Sequence, residues 1–172
     1  MDNSLTPISG LRIVPRDPAH PDAQALLAAL GEALARITGN DGTASFQAED
    51  VRGPGAAFLV AYRDGVPVAC GGYRPVAAGV AEVKRVYSAQ PGAGRALLQA
   101  LEARAAADGY TRLLCETRRV NTRAVAFYQR AGWSECPPYG RYIGRPEAIC
   151  LTCSLPGTGE AAAQAAPPPG LG

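Results

Sequence analysis

The stretch AAFLVAYRDGVPVACGGYRPV (56–76) constrains the fold more than any other part of the chain. Two apolar, β-type runs meet at Asp64-Gly65, a pair suited to a two-residue reversal between antiparallel strands. Ala78-Gly79 marks a second reversal, followed by GVAEVKRVYSA (79–89), so three consecutive antiparallel strands are expected. The flanks carry a different period. PDAQALLAALGEALARITG places Leu26, Leu30, Leu34 and Ile37 on one helical face, with Asp17 or His20 before a proline suited to the first turn and Gly39 at the exit. GAGRALLQALEARAAADG (92–109) places Leu97, Leu101 and Ala105 likewise.

The remaining elements alternate. LRIVPRD (11–17) reads as a first strand and TRLLCET (111–117) as a buried one. NTRAVAFYQRAGW (121–133) reads as a helix of about three turns, capped by Asn121 and stopped by Gly132. GWSECPPYGRY and EAICLTCSL supply two closing strands, and polar residues 40 to 56 a loop with a short helix. The order strand, helix, three strands, helix, strand, helix, two strands implies an α/β chain of the α+β type. Its mixed, mostly antiparallel sheet would be flanked by helices. One domain is expected over 1–155, and residues 156–172 have too little apolar bulk to fold and read as a disordered tail.

Composition narrows the function. A net charge of +2 in 172 residues argues for neither a nucleic-acid nor a membrane partner. No apolar run reaches the roughly 20 residues of a membrane span, and MDNSLTPISG lacks the features of a secretory leader, so a cytoplasmic location is expected. Five cysteines are too few and odd in number for a disulfide framework. Cys150 and Cys153 form a lone CxxC whose members a strand would point to opposite faces. With His20 the sole histidine, no metal site is expected.

Two stretches carry chemistry. QPGAGRALL (90–98) joins a strand to a helix through Gly92 and Gly94, where backbone N–H groups can approach a phosphate at the positive end of a helix; taken alone it reads as well as a plain strand-to-helix turn. It is neither a nucleotide-triphosphate loop, since no Gly-Lys-Ser/Thr follows, nor a dinucleotide fingerprint, since Leu97 occupies the third glycine position. In the helix after Asn121, Ala124, Phe127, Tyr128 and Ala131 form one stripe. Tyr128 reads equally as an amphipathic packing residue.

In order and at their separation, AEVKRVYSAQPGAGRALLQALEARAAADGY and NTRAVAFYQRAGW resemble the GNAT family of N-acetyltransferases, over about residues 11 to 154. PPYGRY and the Cys-rich last strand resemble a bacterial, single-domain subgroup. The resemblance implies a GNAT-like fold and acetyl-CoA as co-substrate. Val86 and Tyr87 would offer backbone bonds to pantetheine. Gly92, Ala93, Gly94, Arg95 and Ala96 would cradle the pyrophosphate, and Asn121 would help hold the cofactor. Tyr128 would protonate the departing thiolate, as suits a phenol. Glu82 stands where the family often places a base acting through water, although Lys84, two residues on, makes a structural ion pair an equal reading.

The chain departs from the family at the phosphate loop. Ala89 replaces the usual Gln or Arg, Pro91 lacks an N–H, and the connection is shorter by roughly four residues. Arg118, Arg119 and Arg123 read as a CoA 3′-phosphate contact, an acidic-substrate contact or a solvated face. Trp133, Tyr139 and Tyr142 read as pocket lining or core. The expected activity is direct acetyl transfer from acetyl-CoA to a primary amine of a small molecule, in a ternary complex; the alternative is a catalytically weakened CoA-binding sensor. A homodimer is left open.

Overall fold

The computed structural model describes residues 10–156. The expected tail, apart from Pro156, lies outside them. Across the sheet the strands lie in the order β1 (Leu11–Pro15), β2 (Ala57–Arg63), β3 (Val66–Ala77), β4 (Val80–Ser88), β5 (Arg112–Arg118), β7 (Ala148–Ser154), β6 (Ser134–Cys136). β4–β5 is parallel, and β1–β2, β2–β3, β5–β7 and β6–β7 are antiparallel. This is the mixed, mostly antiparallel sheet that the element order implied. The chain divides into two compact units, Met1–Arg74 with Lys84–Leu101, and Pro75–Val83 with Glu102–Gly172.

In the first unit, β1 (Leu11–Pro15) and β2 (Ala57–Arg63) run antiparallel, and β2 turns into β3 (Val66–Ala77). The reversal places Asp64 at φ 52° and Gly65 at φ 78°. Both values are positive, as a turn matched to the strand twist requires. Helix α1 (Pro21–Thr38) begins with His20, whose Nδ1 accepts from the Asp22 N–H at 3.1 Å, and ends at Gly39 in the left-handed conformation. Ala23, Leu26 and Leu30 are buried, the first two in a cluster with Val51, Phe58, Val60, Tyr62 and Cys70. Ile37 departs from expectation: it shares their face but is 45% exposed. It lies in the last turn, and the buried residues of α1 all precede it by about two turns or more. The polar loop holds two short 3-10 turns, Thr43–Ser45 and Ala48–Val51.

Helix α2 (Ala93–Ala107) packs closely in this unit because Gly71 has no side chain. A Cβ there would lie 2.9 Å from Val86 Cγ2 and 3.2 Å from Leu101 Cδ1. Leu97, Leu98 and Leu101 are fully buried. Close packing thus fixes the helix whose N-terminus follows the glycine-bearing connection.

In the second unit, the first residues of β4 (Val80–Ser88) pair with β5 (Arg112–Arg118), from Val80 opposite Arg112 to Glu82 opposite Leu114. β5 pairs with β7 (Ala148–Ser154), and β7 with β6 (Ser134–Cys136). Cys150 and Cys153 sit three apart on β7, hence on opposite faces, and both are free thiols. Helix α3 (Thr122–Arg130) is short and one-sided. The core joins Val80, Leu114, Ala148 and Cys150 to Tyr139 and Tyr142, the latter in a 3-10 turn at Gly140–Tyr142.

Candidate active site

The chemistry-bearing residues fall into two groups, one in each unit. In the first, β4 ends at Ser88 and α2 begins at Ala93. Arg85, with φ at 60°, interrupts the regular strand just before Val86 and Tyr87. Such a non-glycine residue is strained unless its surroundings hold it. Here the Arg85 guanidinium lies over the Phe46 ring, 5.6 Å from its centroid, and Nη1 donates to the Asp41 carbonyl at 3.1 Å.

Beyond Arg85, the Tyr87 amide donates to the Cys70 thiol, and the Ala89 amide donates to the Val68 carbonyl at 2.8 Å. Backbone groups of alternate residues point to alternate edges of a strand. Val86 and Ser88 therefore present theirs to the opposite edge. Of the pair expected to meet pantetheine, Tyr87 has its amide engaged inside the unit. Ser88, which the sequence reading passed over, shares the orientation of Val86; only the pairing partner of each amide could have told them apart.

The connection itself leaves its backbone open on one side. Gly92 adopts φ 82°, and a Cβ built there meets nothing within 4 Å, so the backbone is open on that side. Gly94 is buried in the first turn of α2, while Arg95 is exposed. Pro, Gly, Ala and Gly at 91–94 offer no side chain to cap the helix, whose first-turn donors suit a phosphate oxygen. The residues present fit a pyrophosphate despite the shortened connection.

In the second unit, the Asn121 side chain accepts from the Ala124 N–H at 3.2 Å, so its oxygen serves as the cap of α3. That cap and the stripe ending at Tyr128 place the phenol inside. Tyr128 is 8% exposed, its ring centroid 5.1 Å from Trp133 and 5.2 Å from Phe127. Burial, then the neighbouring Cys115 thiol to which the hydroxyl donates, pushes the Tyr128 phenol well above its ordinary range. Trp133 is itself fixed by an Nε1 bond to Glu102 at 2.8 Å.

Glu82 is 2% exposed, and Oε2 accepts from the Tyr139 hydroxyl at 2.5 Å. Lys84, considered above as its ion-pair partner, points its ammonium at the Ser45 carbonyl. Tyr139 and Tyr142 are core residues in edge contact at 5.4 Å. Of the arginine cluster, Arg118 bonds Glu116 at 2.9 Å, Arg119 bonds Glu135 at 2.7 Å, and Arg123 is exposed. Among the described residues no His, Cys, Asp and Glu group is arranged to hold a metal ion, and no helix is long and apolar enough to cross a membrane.

A sheet of this order, a glycine-bearing corner before α2 and a buried phenol on α3 define an acyl-CoA-dependent transferase. Residues 27–133 match the acetyltransferase (GNAT) family, and the chain belongs to it. It is a GNAT N-acetyltransferase using acetyl-CoA. Among curated proteins it is 36% identical, over 57% of its own length and 67% of the relative's, to a protein of Azospirillum brasilense named IAA acetyltransferase. A Klebsiella pneumoniae structure, provisionally assigned as an acyl-CoA N-acyltransferase, superposes with TM-score 0.70 at 26% identity, covering 84% of this chain and 97% of that one. A GNAT acetyltransferase from Elizabethkingia anophelis, solved with acetyl-CoA bound, shares the fold with TM-score 0.61 at 18% identity, over 85% and 99%.

Proposed function

We propose that the protein acetylates the primary amine of a small molecule by direct transfer, with Glu82 and Tyr128 as base and acid. The observation that carries this reading is the place of Tyr128, a buried phenol on the inward face of α3. A phenol is protonated throughout the neutral range and burial keeps this one so, leaving it a proton to give the departing thiolate. As the new N–C bond forms and the C–S bond breaks, Glu82 takes the amine proton through water and Tyr128 delivers its own to sulfur. Val86 and Ser88 would bond pantetheine, and 92–96 the pyrophosphate. The name of the Azospirillum relative supports a small acceptor. The core positions of Trp133, Tyr139 and Tyr142 favour packing over substrate lining.

The test is a thiol-release assay with acetyl-CoA against small primary amines and peptide amines. Tyr128→Phe should lower kcat by about 10²-fold, the lower range for loss of a general acid, and leave the acetyl-CoA Kd unchanged. A variant with wild-type kcat would remove Tyr128 from the reaction. Binding of acetyl-CoA without acetylation of any amine would instead favour the sensor. Acetylation of peptides alone would overturn the small acceptor.

A further inference from the structure

Arg63 closes β2, and the alternation of that strand decides which way it points. Leu59 lies opposite Gly71, the residue against which α2 packs, whereas Phe58, Val60 and Tyr62 belong to the cluster with Ala23 and Leu26 of α1. The irregularity in the pairing leaves out Val68 on β3, so β2 itself alternates without a break. Leu59, Ala61 and Arg63 therefore share the face that α2 covers. There the guanidinium reaches the connection into α2: Nη1 donates to Gln90 Oε1 at 3.1 Å, across 27 residues of chain. The Gln90 carbonyl in turn accepts from the Ser88 hydroxyl at 2.7 Å and from the Ala93 amide at 3.3 Å. A bracket thus runs from the end of β2 to the first residue of α2, wholly inside the first unit.

The chemistry of the bracket is one-sided. A guanidinium has donors and no acceptor, so Gln90 must turn its oxygen to Arg63 and its amide N–H groups away. Among the described residues Arg63 pairs with no carboxylate, and its Nε is buried without a hydrogen bond. From Ser88 to Gly94 the connection carries no charged side chain of its own. A part-buried cation is costly until an anion meets it, and a diphosphate offers that charge with acceptors only. We propose that Arg63 is a cofactor-binding residue: its guanidinium, held by Gln90, meets the pyrophosphate of acetyl-CoA at the start of α2. This rests on the assignment of the pyrophosphate to 92–96.

The competing role is that of a strut, in which Arg63 shapes the connection and touches no ligand. The two roles differ in what a thioester without phosphate would feel.

The experiment compares acetyl-CoA, its 3′-dephospho form and phosphate-free acetyl-pantetheine on wild type and on Arg63→Met, which keeps the apolar stem. The preference of kcat/KM for acetyl-CoA over acetyl-pantetheine should fall about tenfold or more, the loss of one charged hydrogen bond. The acetyl-CoA Kd, read by calorimetry without turnover, should rise by the same factor. The 3′-dephospho form should lose as much, because it retains the pyrophosphate. Arg63→Lys, which restores a charge on a similar stem, should recover most of the binding. Gln90→Ala removes the bracket but not the cation and should cost no more than about threefold. Arg63→Gln, still able to bond the Gln90 amide, repeats the test if the methionine variant does not fold.

An unchanged preference, equal losses on every thioester, or a loss confined to the 3′-phosphorylated form each overturns the proposal, as does a Gln90→Ala as weak as Arg63→Met. The two readings fail separately. A wild type with no preference for acetyl-CoA over acetyl-pantetheine removes the pyrophosphate site, whereas a wild-type preference that survives in Arg63→Met removes only the role of Arg63.

Discussion

The two corners at which a strand enters a helix, β4 into α2 and β5 into α3, share their backbone bonds and differ in the side-chain cap. At the second, Asn121 caps the helix, its amide donates to the Arg118 carbonyl at 2.9 Å, and its carbonyl accepts from Val125 at 3.1 Å. That corner satisfies itself. At the first, Ala93 donates to the Gln90 carbonyl at 3.3 Å and Ala96 to the Gly92 carbonyl at 3.2 Å, but Pro91-Gly92-Ala93-Gly94 has no capping side chain, and Gly92 opens the backbone. A helix start without a side-chain cap can turn first-turn donors toward a ligand, while a capped one spends a side chain on them. The difference suggests that 92–96 binds anionic cofactor and that Asn121 mainly sets the position of Tyr128.

The strongest way to break this contrast is Gly94→Val. A branched side chain at a buried position in the first turn should abolish acetyl-CoA binding, a loss of 100-fold or more measurable by calorimetry. Binding that survives unchanged would place the pyrophosphate elsewhere. The wild type should bind less tightly than a chain with a full connection, since a missing charged hydrogen bond is worth about 10- to 100-fold.

A smaller effect sharpens the other corner. Asn121→Ala should cost about 1 kcal/mol of cap and lower Tm by about 2–4 °C, with Asn121→Ser largely restoring it. The acetyl-CoA Kd should change by no more than about threefold, because the side-chain oxygen is engaged in the cap. A Kd that rises far more than stability falls would make Asn121 a ligand contact through its Nδ2.

The smallest effect concerns pH. Burial raises the folded pKa of Tyr128, so the proton is lost only above the ordinary phenol range. Wild-type kcat at saturating substrates should therefore change less than about twofold between pH 8 and 10.5, where an ordinary phenol would lose about fourfold. A fall there that disappears in Tyr128→Phe would show an ordinary, accessible phenol.

Local rules read most elements correctly, for reasons visible in particular residues. Asp64-Gly65 is a tight reversal because both positions must take positive φ, and those residues tolerate it. Leu97, Leu101 and Ala105 predicted the buried face of α2 because helical period alone sets which side meets the sheet. Periodicity failed at Ile37, since angle around a helix says nothing of how far along its axis the core extends.

What the sequence by itself determined is the order of elements, the capped and uncapped corners and the phenol at Tyr128, because each depends on residues a few positions apart. The tertiary structure alone decided that the hydroxyl of Tyr139 meets Glu82, that Tyr128 rests against Cys115, and that Lys84 turns to the Ser45 carbonyl. These partners lie 57, 13 and 39 residues apart. No local propensity encodes such contacts. They follow from strand pairing and from the need of every buried polar group to find a partner once water is excluded.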